Sequence, residues 1–223
     1  MNVRGSAIAR FSAVTLACVS LATLIAWGHQ PIAVGGSFPT RDAALIVEDE
    51  SISQVAYVEL TNEAPEAWLR LSIDEPGRVF VSLGVPKIDR LIDYRPLLRL
   101  IGPVGENEAI VFETQAADEP RVFHEPFTDT DSWIHVESWV EVAEAGTYYV
   151  VASASAETAD KVWISVGRRE VFGIADVLSL PSIIRDVRVF HEVPPPSAIG
   201  LRDWAVLLAF LFVAGVVVYV ATR

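Results

Sequence analysis

The pentapeptide Arg-Val-Phe-His-Glu occurs twice, at Arg121–Glu125 and at Arg188–Glu192, and places two His-Glu pairs in a chain that has four histidines. If His124, His191 and His135 converged, their imidazoles would form the heart of a copper or zinc site, with Glu125 or Glu192 alongside. A blue-copper ligand set also needs Cys and Met, yet the single Cys is Cys18 and the single Met is Met1. His135 alternates with Ile134 and Val136 and neighbours Glu137, a spacing that predicts a solvated imidazole on the polar side of a strand. The plainer reading of each repeat puts Phe123 and Phe190 in the core, with the His-Glu pair opening a turn bounded by proline.

A second group of donors is Asp129 and Asp131 in Thr128-Asp129-Thr130-Asp131-Ser132-Trp133. Alternating carboxylates on a loop can contribute to a Ca²⁺ shell, which needs six to eight oxygens, and Glu125 and Glu137 are the nearby additions. An Asx-type turn ahead of a strand accounts for the same residues without an ion. No cofactor is therefore required, and Ca²⁺, copper and zinc are the ions these donors would suit. Enzyme signatures are lacking: there is no Gly-x-Ser-x-Gly elbow, no His-Glu-x-x-His and no glycine-rich phosphate loop. A cryptic hydrolase would need a Ser or Asp beside one of the histidines. Trp68, Trp139 and Trp163 fall on strand faces that are otherwise polar. On one sheet they would make an exposed patch for a protein or glycan, unless C-terminal helices cover that face.

These residues need strands to position them, and strand periodicity dominates from Ala44 to Gly167. Leu69, Leu71 and Ile73 alternate with polar neighbours up to Glu75-Pro76-Gly77. Val79, Val81, Leu83 and Val85 follow, and later Ile134, Val136, Val140 and Val142. Ala145-Gly146 turns the chain into an apolar run from Tyr148, and Lys161–Gly167 closes the series. Repeated period-two segments separated by turn residues predict a mainly β fold, an antiparallel β-sandwich of jelly-roll type. Ile88–Leu100 interrupts the pattern and predicts an irregular excursion or short helix. After Gly173 the spacing of Ile174, Val177 and Leu178 is helical, and Pro181-Ser182 can begin a second short helix.

The flanks are apolar. Trp204 to Thr222 carries no charge and as a helix would span roughly 28 Å, enough to cross a bilayer. Trp204 and Tyr219 would mark its interfaces, Phe210 its lipid-facing length, and Gly215 a place where another helix could approach. Arg4 and Arg10 precede a second apolar run, from Phe11 to Trp27, that reads as a signal peptide or an uncleaved anchor. Cys18 lies within that run, so the domain between has no disulfide. With Arg4, Arg10 and Arg223 set aside, 14 of the 17 basic and all 29 acidic residues lie between Arg41 and Asp203, a net of −15. That balance excludes nucleic acid as a partner. The expected order is a signal or anchor at 1–28, a linker at 29–43, the sandwich at 44–172, a juxtamembrane helical segment at 173–192, a proline-rich spacer at 193–203 and a transmembrane helix at 204–222. The lipid bilayer is one partner. The location this implies is a bacterial cytoplasmic membrane, with the domain on its periplasmic or extracellular side.

Within this frame, Ser51 to Gly167 resembles the bacterial pre-peptidase C-terminal type of jelly-roll sandwich, an accessory domain of secreted proteins. The resemblance lies in the strand pair around a Pro-Gly turn from Trp68 to Leu83, the strand and glycine from Leu97 to Gly105, and the run from Gly146 leading to Lys161–Gly167. Where that family opens with an Asp-x-Asp-x-Tyr pattern, this chain has Asn62 to Leu71, so no ion site is implied there. The resemblance implies a non-catalytic module with no active-site residues. It points to an accessory or scaffold subunit with a protein partner, against the alternatives of a periplasmic metal-handling protein and a carbohydrate-binding module.

Overall fold

In the computed structural model, residues 30–154, 159–171 and 174–194 are described, with the backbone alone at 174–178. Among the described residues, eleven strands form two facing sheets. The first sheet has the order β1 (Gln30–Val34), β3 (Gln54–Glu59), β11 (Lys161–Val166), β5 (Gly77–Pro86), β9 (Thr130–Val142) and β8 (Arg121–Glu125). The second has the order β2 (Leu45–Ile46), β4 (Glu66–Ile73), β10 (Gly146–Ser153), β6 (Leu97–Val104) and β7 (Asn107–Gln115). A single α-helix, α1 (Ile174–Phe190), is present among the described residues.

The core between the sheets follows from alternation. In β4, Ala67, Leu69, Leu71 and Ile73 are buried while Arg70 and Ser72 face out. They meet Val79, Val81, Leu83 and Val85 of β5 and Tyr148, Val150 and Ala152 of β10 in one cluster. Tyr148 is fully buried, and its hydroxyl donates to Glu144 O at 2.8 Å, satisfying the one polar atom of the ring. β3, β5 and β11 are buried on nearly every residue, unlike β4 and β6. Continuous burial means that these strands are covered on both faces. Over β3 and β11 the second cover is α1, whose Val187 and Phe190 pack with Val55, Tyr57, Ile134 and Trp163 in a smaller, separate cluster.

Four expectations need correction. The sheets are mixed rather than antiparallel: β1 pairs parallel with β3, and β2 parallel with β4. β1 comes from residues 29–43, which read as a linker because a five-residue edge strand with a proline gives little periodic signal. Parallel partners need a crossover rather than a hairpin, and residues 35–53 supply it with a short 3-10 turn at Arg41–Ala43 and β2. α1 runs unbroken through Pro181, which does not begin a new helix. The cost of one lost backbone bond is borne in a helix held by its apolar contacts with the sheet. Ile88–Leu100 does hold an irregular excursion, with a 3-10 turn at Asp89–Leu91 before β6 begins.

The fourth correction is His135, which is 6 % exposed rather than solvated. The register of β5 against β9 shifts between Leu83 and Gly84, whose partners are Val136 and Ile134. This β-bulge leaves His135 as the extra residue and reverses which side chains face in. Val136 therefore joins the inter-sheet core while Ile134 joins the cluster under α1. Burial holds the His135 imidazole below its usual pKa, with Nδ1 3.3 Å from Ala117 O.

Among the described residues no helix is long and apolar enough to cross a membrane. The spans expected at 1–28 and 204–222, with Cys18, Trp204, Phe210, Gly215 and Tyr219, lie outside the described residues.

Candidate functional site at the junction of helix and sheet

The polar residues singled out in the two repeats gather where the end of α1 meets the β8–β9 hairpin. In β8, Phe123 and Glu125 share one face of the strand and His124 takes the other. In α1, Val187, Phe190 and His191 share one side, and all three are buried. Both Phe123 and Phe190 reach the cluster under the helix.

His191 is 5 % exposed. Its Nδ1 lies 2.8 Å from Val187 O, which can only accept, so Nδ1 carries the proton. Nε2 is thereby left to accept from Ser132 Oγ at 3.0 Å. Burial pushes the imidazole down to about 4, so it is neutral at pH 7. Glu125 borders the same small space, together with Tyr57, Thr130 and Ser132. Burial pushes its carboxyl up to about 7, opposed by the Phe127 N–H that donates to it at 3.2 Å. The space has about 10 Å³ of room, what one water molecule requires. A hydroxyl and a base stand in contact here, the arrangement a hydrolase would need, beside room for about one water molecule.

The loop carrying Asp129 and Asp131 is held by a cation of the chain itself. Arg188 Nη1 donates to Thr128 O at 2.7 Å and approaches Asp129 O and Oδ2, each at 3.3 Å. Asp129 adopts φ 52, a left-handed conformation that Asp tolerates better than most residues. Asp131 faces His124, with Oδ1 to Nδ1 at 2.9 Å, and Lys87, at 3.8 Å. Glu192 follows α1 with φ 59, and Val193 N closes the helix end on Arg188 O. Its carboxylate is bound by Lys161 at 2.7 Å and by both terminal nitrogens of Arg90, which also grips Asp160. Lys161 and Arg90 hold the Glu192 pKa below its usual value.

The proposed metal donors are thus separated by role. His124 is 56 % exposed and paired with Asp131, while His191 and Glu125 border the small space and Glu192 faces Arg90. Among the described residues no group of three or more His, Cys, Asp or Glu is arranged to hold a metal ion. The three tryptophans do not share a patch either. Trp68 is in the second sheet, edge-on to Tyr149, with its indole N–H donating to Glu66. Trp163 is 4 % exposed beneath α1, its ring lying where a Cβ on Gly84 would come within 2.2 Å. Trp139 is 50 % exposed on the first sheet. Ser132, Lys161 and Arg90 were not legible as site residues, since nothing in their local spacing points to α1.

No family model matches this chain, and no curated protein matches it. Solved structures similar to it include the mitogen derived from Yersinia pseudotuberculosis, at 8 % identity and a TM-score of 0.38, covering 56 % of this chain and 93 % of that one. The pre-peptidase C-terminal domain of a Bacillus anthracis collagenase shares 10 % identity at a TM-score of 0.25, covering 62 % and 96 %. CorA, a surface-associated copper-binding protein of Methylomicrobium album BG8, also shares 10 % identity at 0.25, covering 62 % and all of that chain.

Proposed function

We propose that the protein is a non-catalytic β-sandwich held on the outer face of a bacterial cytoplasmic membrane, acting as an accessory or interaction subunit for a membrane or secreted protein partner. The observation that carries this reading is the crowded junction. The side chains able to do chemistry, Ser132, His191 and Glu125, surround room for one water and fasten α1 to the sheet. Arg188 takes up the loop oxygens that a cation would use. The apolar runs flanking the acidic domain support the membrane location. Kinship with the pre-peptidase C-terminal modules belongs to the same proposal and rests on the residue patterns. Those patterns fold as β4 and β5, β6, and β10 followed by β11.

Single-cysteine labelling tests it. In a Cys18→Ser background, cysteine placed at the exposed Ile110 should react with a membrane-impermeant maleimide once the outer surface is reached. Labelling only after the cytoplasmic membrane is broken would overturn the location. Hydrolysis of generic ester or peptide substrates that disappears in Ser132→Ala would overturn the non-catalytic reading.

A further inference from the structure

The outer face of the six-stranded sheet is divided between two surfaces. α1 covers the part built on Val55, Tyr57 and Trp163. Beyond it, Phe80 of β5 stands opposite Trp139 of β9, and Arg78 stands opposite Glu141. The two rings meet edge to face with centroids 5.4 Å apart. Arg78 lies over the Trp139 ring at 5.4 Å, and Arg168 over the Phe80 ring at 4.9 Å. Sheet register fixes the middle of this row, and the backbone delivers its end. Gly167 has φ 72, and a Cβ there would come within 2.2 Å of Ile52 O. Its N–H donates to Phe80 O, and the Arg168 N–H donates to Ser51 O.

The charges on this row are poorly compensated. Arg90, Arg99, Arg121 and Arg169 each contact a carboxylate. Among the described residues, Arg168 has no carboxylate within ion-pair distance. Arg78 reaches only Glu141, at 3.9 Å, with both side chains more than 60 % exposed. A guanidinium lying over a ring keeps its in-plane N–H donors free for an incoming carboxylate. In a domain of net charge −15, Arg168 without an ion-pair partner and Arg78 with a loosely held one flank a half-exposed Trp. Trp and Arg are also the residues that most often dominate protein interfaces.

We propose that Arg78, Trp139 and Arg168, seated around the buried Phe80 ring, form the docking surface for a short acidic segment, bearing apolar side chains, of a protein partner. This rests on the interaction-subunit reading and specifies the partner's chemistry. Charge complementarity favours a short segment over an extended anionic surface. Glu137 and Glu141 lie along the same stretch of β9, so an extended anionic surface would meet them together with the arginines, whereas a short segment can reach Arg168 and the Trp139 ring without them.

The test uses the full chain in discs of neutral lipid and a fluorescent twelve-residue peptide of alternating Glu and Leu, read by anisotropy. Binding should weaken about tenfold in Arg78→Gln/Arg168→Gln and about fivefold in Trp139→Ala, and should fall with salt. Arg185→Gln, at another exposed site, should leave it unchanged. Equal binding by the double variant, equal binding of a Lys-Leu peptide, or preferential binding of phosphatidylglycerol vesicles would each overturn the surface. A photo-crosslinking residue placed in cells at 139, and in parallel at 46, 92 and 110, separates the two layers of the argument. Adducts from the other positions but not from 139 overturn this surface and spare the interaction-subunit reading. No adduct from any position overturns both.

Discussion

The two Arg-Val-Phe-His-Glu segments share five side chains and nothing of their backbone: Arg121–Glu125 is the edge strand β8, while Arg188–Glu192 ends α1 and enters the turn beyond it. In a strand, side chains two apart share a face, so Phe123 and Glu125 turn inward together and His124 faces water. At a helical period the neighbours of Phe190 are Val187 and His191, and Glu192 falls past the helix end. One period buries the carboxyl and exposes the imidazole, and the other does the reverse. The consequences are chemical. Glu125 is pushed up to about 7 and Glu192 is held low; His124 pairs with a carboxylate and His191 is neutral. A repeated motif therefore carries no repeated function until its backbone is known.

The comparison breaks most readily at the phenylalanines, which touch the same small cluster from two elements. Phe190 is 7 % exposed and Phe123 is half-buried. Phe190→Ala should cost about 3 kcal/mol and Phe123→Ala about half of that, measured by urea unfolding of the full chain. Equal losses would mean that the cluster does not depend on α1.

The histidines give the next largest contrast. Ser132→Ala leaves a buried imidazole nitrogen without its donor, and should cost about 2 kcal/mol. Asp131→Ala removes the carboxylate beside His124, which is exposed, and should change stability by less than about 0.5 kcal/mol. A large effect of Asp131→Ala would instead give the hairpin loop a structural role equal to that of the junction.

How much of this was legible follows from what each signal measures. Alternation marked β4, β5, β10 and β11 and the inter-sheet core, because their apolar residues face one neighbour sheet. It failed at His135, since a one-residue bulge reverses every facing that follows and leaves no mark in composition. It also misassigned Trp163, which sits on a face that reads as polar beside Ser165, because the cover comes from a helix not adjacent to it in sequence. The repeat itself is plain in the sequence. That one copy would be strand and the other helix was settled by what each packs against, which no five-residue window contains.

The pH dependence sharpens the contrast between Glu125 and His191, which border one small space and titrate in opposite senses. Glu125 is raised from 4.5 to about 7, so the folded chain holds a proton that the unfolded chain releases. Its contribution is present below pH 4.5 and is lost as pH rises through 7. His191 is lowered from 6.5 to about 4, so the unfolded chain takes up the proton first, and stability is lost as pH falls from 6.5 to 4. Between 4.5 and 6.5 the two slopes cancel. In that window Glu125→Gln should make stability rise with pH, and His191→Gln should make it fall, each by at most about 1.4 kcal/mol per pH unit. Parallel stability curves for Glu125→Gln and the parent protein would show that the carboxyl is not held protonated.

The smallest expected effect is at Glu192, where two terms of similar size oppose each other. Its φ of 59 is costly for a residue with a Cβ, and glycine would relieve about 1 kcal/mol. The same substitution removes the carboxylate bound by Lys161 and Arg90, an exposed network contributing about 0.5–1 kcal/mol. Glu192→Gly should therefore leave stability within about 0.5 kcal/mol of the parent at low salt. Because salt screens the ion pairs and leaves the backbone term untouched, the variant should become the more stable protein at 1 M salt. Glu192→Gln keeps the strained φ and should lie below both. Glu125→Gly, in an extended strand with no left-handed residue to relieve, should be destabilising at every salt concentration, and a salt-dependent crossover there would show that the two copies are not distinguished by backbone geometry.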